Sequence, residues 1–150
     1  MNIKKKYKNI LKQIHDVTQN IDLTQSDNLL KIVKMTKLKN KFNCIDFWNN
    51  FIPNISKPYS ILNTDKESDD GNGSHWVSVF QEDNVIYLYD SFGRKHIMDE
   101  FCEAMHGLGF RCIYLNKKCD QQNRQQDCGI RSLLWLLFVD RFGIKEASKI

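Results

Sequence analysis

The stretch QQNRQQDCGIRSLLWLLF, Gln121 to Phe138, is polar through its first seven residues and densely apolar after Gly129. One cysteine, Cys128, stands at the join. A cysteine that only packs usually sits inside an apolar run; one at the lip of a run is placed for chemistry. The density of Leu, Trp and Phe predicts a helix over 128–142 that is buried nearly all round. Cys128 would then be the first residue of that helix, where backbone N–H groups and the helix dipole favour an anion such as a thiolate. A thiolate nucleophile needs a base beside it, a group to orient that base, and donors for the oxyanion formed on attack.

Four histidines are available as the base. His15 falls on a helix, His96 in a helical first turn and His106 at a helix end, and all three read as surface residues. His75 opens a β-rich run, HWVSVF (75–80), where its ring can project from the sheet edge into a cleft. NVIYLYD (84–90) is a second β-rich run, and the two, joined through Gln81, Glu82 and Asp83, predict a hairpin. Pairing 76–80 with 85–89 puts the start of the first strand beside the end of the second. His75 and Asp90 then come within range of an Asp–imidazole hydrogen bond. The plainer alternative leaves Asp90 as the start of the Ser91-Phe92-Gly93 turn and His75 as a polar strand end.

The loop before Cys128 holds Gln121, Gln122, Gln125 and Gln126. A glutamine amide is a neutral oxyanion donor, and the backbone N–H of residue 128 is a second one; for any single glutamine the alternative is a plain polar loop. Gly129 would allow close approach by a substrate backbone.

Outward from these residues the chain reads as α+β. Helical spacing of Ile3, Tyr7, Ile10, Leu11 and Ile14 predicts a helix over 3–17, and Ser26 or Asp27 caps a second one through about Met35. Residues 42–51 (FNCIDFWNNF) are aromatic-rich and read as irregular, and Pro53 and Pro58 keep 52–58 out of helix. YSILN (59–63) is a short strand and 65–73 an exposed loop. A helix over 95–106 stops at Gly107 or Gly109, FRCIYLN (110–116) is a strand, and 117–127 is a loop. With 150 residues the chain reads as one domain, residues 1–25 forming a basic N-terminal helix or arm and 26–145 the core.

At 41% hydrophobic and 11% aromatic residues, the composition excludes a disordered chain. No apolar run approaches the roughly 20 residues that span a bilayer, and the basic start lacks the apolar core and cleavage site of a secretory signal. The five cysteines are odd in number and contain no CxxC pair, which argues against a disulfide framework or a zinc site and for free thiols in a reducing compartment. Residues 1–45 carry ten lysines against three aspartates, whereas the rest carries twelve basic and fifteen acidic groups. Such asymmetry suits contact with nucleic acid or an acidic partner; the alternative is a solvated lysine-rich helix face.

In order along the chain, GSHWVSVF (73–80), VIYLYDSFGR (85–94) and QQNRQQDCGIRSLLWLLF resemble the catalytic elements of adenain, the adenovirus maturation protease, and its relatives. SUMO-specific proteases belong to the same wider clan of cysteine peptidases. The shared pattern is His-Trp, then an acidic residue ending a strand, then Gln a few residues before Cys-Gly. ILNTD (61–65) is similar to an Ile-Val-Asn-Thr stretch of adenain-like viral enzymes. LLKIVKMTKLKNKFNCIDFWNNFIP (29–53) resembles the preceding segment in proteases of large DNA viruses and virus-like transposons. The resemblance covers roughly 27–142, and its ordered set of motifs is far more specific than His-Trp or Cys-Gly alone.

The resemblance implies a small papain-like, adenain-like fold in which a central mixed sheet is packed by helices and a buried helix starts at the catalytic cysteine. It makes His75 the general base, Asp90 its orienting acid and Cys128 the nucleophile, with Trp76 and Gly129 beside the substrate. Asp90 follows the SUMO proteases, where adenain has Glu. The oxyanion donor is Gln122, five residues clear of Cys128 as in SUMO proteases, or Gln121, six clear as in adenain. The implied activity is a cysteine endopeptidase that cleaves viral capsid or core precursors during virion maturation through a thioester. The alternatives are a SUMO- or ubiquitin-like deconjugating protease and a non-catalytic basic DNA-binding module. The expected setting is the virion and the reducing interior of the infected cell, with a monomer, no membrane contact and no metal. No cofactor is needed for the chemistry, although the resemblance brings DNA, through the lysine-rich N-terminal third, or a viral peptide as an activator. No cysteine here matches the one that links such a peptide in adenain.

Overall fold

The computed structural model describes residues 2–18, 26–65, 75–91, 93, 97–115 and 128–150. Its elements are α1 (Ile3–Thr18), α2 (Ser26–Lys34), β1 (Phe42–Phe47), a 3-10 turn (Trp48–Asn50), β2 (Tyr59–Asn63), β3 (Trp76–Glu82), β4 (Val85–Tyr89), α3 (Asp99–Gly107), β5 (Arg111–Tyr114), α4 (Cys128–Phe142) and α5 (Ile144–Ala147). The five strands form one mixed sheet in the order β1-β2-β3-β4-β5. β1 runs parallel to β2 and β5 parallel to β4, while β2–β3 and β3–β4 are antiparallel.

Side chains alternate across the sheet, and each face has its own apolar cluster. Tyr59, Ile61, Trp76, Phe80 and Tyr89 face a cluster completed by Tyr7 and Leu11 of α1, Leu29 and Val33 of α2, and the length of α4. Leu62, Val77, Val79, Ile86 and Leu88 face the opposite way, onto Met98, Phe101 and Met105 of α3 and its lead-in. The central strand β3 is therefore buried on both sides until Glu82. Burying one such large apolar side chain stabilises the fold by about 1.5–3 kcal/mol.

Local chemistry explains the element boundaries. Asn2 caps α1, its Oδ1 accepting from the backbone N–H of Lys4 at 2.9 Å and of Lys5 at 3.3 Å. The β3–β4 hairpin pairs Glu82 with Val85, so the turn is Asp83-Asn84 rather than the expected Gln81 to Asp83. Asp83 takes φ 54°, a left-handed conformation that aspartate tolerates and a two-residue hairpin loop needs.

Residues 42–47, expected to be irregular, form the edge strand β1. Phe42, Ile45 and Phe47 favour extended backbone, and the edge position tolerates the intervening polar residues. Asn43 Nδ2 donates to the Ile52 carbonyl at 2.8 Å, and Asp46 Oδ1 accepts from the Phe47 N–H at 2.7 Å and from Asn50 Nδ2 at 3.0 Å. Helix α3 begins at Asp99, later than expected; of the loop expected over 65–73 only Asp65 is among the described residues, and the loop expected over 117–127 lies outside them. No helix among the described residues is long and apolar enough to cross a membrane.

Candidate active site

Three residues distant in sequence meet at one end of the central strands. His75 immediately precedes β3, Asp90 immediately follows β4, and Cys128 is the first residue of α4. The hairpin register pairs Ser78 with Tyr89, so Asp90 follows on across from Val77, and its side chain reaches His75 diagonally, two residues along. Because β3 is central, His75 stands at the end of an interior strand, not on an edge strand. The β2–β3 ladder extends one step past the strands, the Thr64 N–H donating to the His75 carbonyl at 2.9 Å. A turn fixes the other side: the Gly93 N–H donates to the Asp90 carbonyl at 2.8 Å, with Gly93 at φ 62°, where a glycine is the cheapest residue.

Asp90 Oδ1 is hydrogen-bonded to His75 Nε2, and the imidazole also hydrogen-bonds the Cys128 side chain. All three side chains are nearly closed off, with 3% of His75, 1% of Asp90 and 7% of Cys128 exposed. Burial alone would lower the imidazole's proton affinity. The hydrogen bonds and charges of Asp90 and Cys128 outweigh it and hold the His75 pKa above the ordinary histidine value of 6.5. The site thus supplies an acidic group, an imidazole with raised basicity and a thiol in one hydrogen-bonded chain. Cys128 also sits where the first N–H groups of α4 have no acceptor within the helix.

Trp76 is buried in the cluster that contains Cys128, and Gly129 is buried in the first turn of α4. Gln121 and Gln122, the candidate oxyanion donors, lie outside the described residues, as does His96. His106 is exposed at the end of α3. Among the described residues no group of three or more His, Cys, Asp or Glu is placed to hold a metal ion.

The sequence reading missed Ser78 and Ser132, which are wholly buried between β3 and α4 beside the triad, and Tyr7, whose hydroxyl donates to the Arg131 carbonyl at 3.1 Å. A serine inside an apolar run gives no signal until its partner is known.

Two other thiols meet on the far face of the sheet. Cys102 of α3 and Cys112 of β5 hydrogen-bond each other, which favours the Cys102 thiolate and pushes the Cys112 thiol up. Burial pushes the Cys44 thiol up as well.

A scan against protein-family models finds no match to the chain, and a search of curated proteins finds none either.

Proposed function

We propose that the protein is a cysteine endopeptidase with the adenain-like variant of the papain fold, acting on viral capsid or core precursors. The observation that carries this reading is the buried hydrogen-bonded chain Asp90–His75–Cys128, assembled at the start of a buried helix. With Nε2 engaged by Asp90, the other ring nitrogen, Nδ1, is the one that serves the thiol. His75 takes the Cys128 proton, and the thiolate, favoured by the imidazolium and the helix N-terminus, attacks the scissile carbonyl carbon. The tetrahedral oxyanion is met by the backbone N–H of residue 128 and the amide of Gln122 or Gln121. On collapse, His75 gives its proton to the leaving amine and a thioester remains on Cys128. Water, deprotonated by His75, cleaves the thioester, releasing the carboxylate and the free thiol. Asp90 holds the ring orientation and stabilises the imidazolium, and Trp76 and Gly129 flank the bound chain.

DNA is the partner best suited to the exposed lysines Lys4, Lys5, Lys8 and Lys12 of α1, with binding that weakens steeply as salt rises. The reading is tested by incubating the protein with candidate viral structural proteins and identifying new termini by mass spectrometry. Wild type is expected to cut at defined sites. Cys128→Ala is expected to lose at least about 10³-fold in turnover while keeping its circular dichroism spectrum. Undiminished cleavage by the alanine variant would remove Cys128 as the nucleophile.

A further inference from the structure

β3 and α4 are tied together by two hydrogen bonds that run in opposite senses. Ser78 Oγ donates to the Ser132 carbonyl at 2.8 Å, and Ser132 Oγ donates to the Trp76 carbonyl at 3.1 Å. Both serines are 0% exposed. Trp76 is the residue after His75, and Ser132 lies four residues after Cys128, on the same side of the helix. The brace therefore bridges the same two elements, within a turn or two residues, as the imidazole–thiol contact.

Alongside these bonds β3 and α4 share an apolar cluster that includes Trp76, Phe80, Leu133 and Leu136. Such burial is non-directional and permits a helix to slide or roll against a sheet. Hydrogen bonds prefer a narrow range of distance and angle, so two opposed bonds resist sliding in both directions. Tyr7 adds a third grip on the Arg131 carbonyl from the α1 side, so the first turns of α4 are held from both flanks. Serine gains little from a helix interior, where its hydroxyl competes with the backbone. A hydroxyl at 132 and another at 78 make sense as a matched pair.

We infer that Ser78 and Ser132 are positioning residues that set the separation between the His75 imidazole and the Cys128 sulfur. The inference rests on the catalytic reading above, and the serines act only through His75 and Cys128. A misplacement of about 1 Å in such a pair is worth about a hundredfold in rate.

The test uses the full chain and iodoacetamide, with the alkylated cysteine identified by mass spectrometry and its rate followed from about pH 5 to pH 9. In wild type, Cys128 is expected to react fast near pH 6. Ser78→Ala and Ser132→Ala are expected to slow Cys128 there by about tenfold or more and to move its pH profile toward that of an ordinary thiol. Ser78→Ala removes one bond of the brace and leaves the other, so it reads out the effect even where Ser132→Ala does not fold. Val139→Ala, buried in the later turns of α4, serves as a control that lowers stability without moving the profile. Serine variants with the wild-type profile, or an equal shift in Val139→Ala, overturn the positioning role and leave the catalytic reading standing. A wild-type Cys128 as sluggish as an ordinary thiol overturns both.

Discussion

Burial opposes charge on His75, yet the hydrogen bonds to Asp90 and Cys128 favour the imidazolium strongly enough to raise its pKa above 6.5. A group bound more tightly to its proton in the folded state stabilises that state at low pH. The contribution is whole below pH 6.5, the unfolded value, and disappears as pH rises through the higher folded value. It amounts to about 1.4 kcal/mol for each unit of separation. Unfolding free energy measured by urea titration across this range is expected to fall as pH rises, and Asp90→Asn, which removes a charge and weakens a hydrogen bond, is expected to flatten the fall. A slope unchanged in Asp90→Asn would mean that Asp90 does not govern the imidazole. The convergence of His75 and Asp90 was legible because a hairpin sets the start of its first strand beside the end of its second. The expected pairing was nonetheless two residues out of register: the Asp83-Asn84 turn brings Asp90 across from Val77. The place of Cys128 was legible from the change of polarity at 127–130. The brace was not, because Ser78 and Ser132 acquire meaning only when two elements 54 residues apart are superposed.

Helix α4 does most to organise the fold, and its eleven buried residues make it central to both stability and site geometry. Trp135 is the largest of its wholly buried side chains, and its indole N–H donates to the Ala147 carbonyl at 3.1 Å, holding α5 against α4. Trp135→Phe, which leaves that carbonyl with only the Ile150 N–H at 3.2 Å, is expected to cost about 0.5–1.5 kcal/mol. Trp135→Ala, which also opens a cavity, is expected to cost about 3–5 kcal/mol. Denaturant midpoints at constant slope would measure both, and a Trp135→Phe variant as stable as wild type would show that the indole N–H contributes nothing. The buried helix was readable from its unbroken run of Leu, Trp and Phe. β1 was not, because Asn43 and Asp46 interrupt the apolar pattern and their side-chain hydrogen bonds to the neighbouring loop become visible only in three dimensions. The start of α3 was misjudged because nothing in the local sequence marks Met98 as its cap, and its side chain makes no capping bond.

Across the whole molecule, helices cover both faces of the sheet, and the two layers do different work. The α3 side holds an apolar cluster edged by the Cys102–Cys112 pair and by Tyr114, whose hydroxyl accepts from the Met98 N–H, while the α1, α2 and α4 side holds Cys128 and the serine brace. HWVSVF read as a hairpin strand, but its burial on both faces and the parallel additions of β1 and β5 depend on chain paths that no local pattern specifies. One contact crosses from the sheet to α4 close to the triad: Tyr89, which directly precedes Asp90, lies flat against Trp135, with ring centroids 5.1 Å apart and planes 5° from parallel. A phenol and an indole so arranged exchange excitation energy efficiently and share a water-free surrounding. Intrinsic emission from this couple, isolated as the difference between wild type and Trp135→Phe, should therefore shift to the red as soon as α4 lifts from β4. Such a change ahead of global unfolding would give an optical gauge of whether the strand that leads into Asp90 and the helix that starts at Cys128 are still joined.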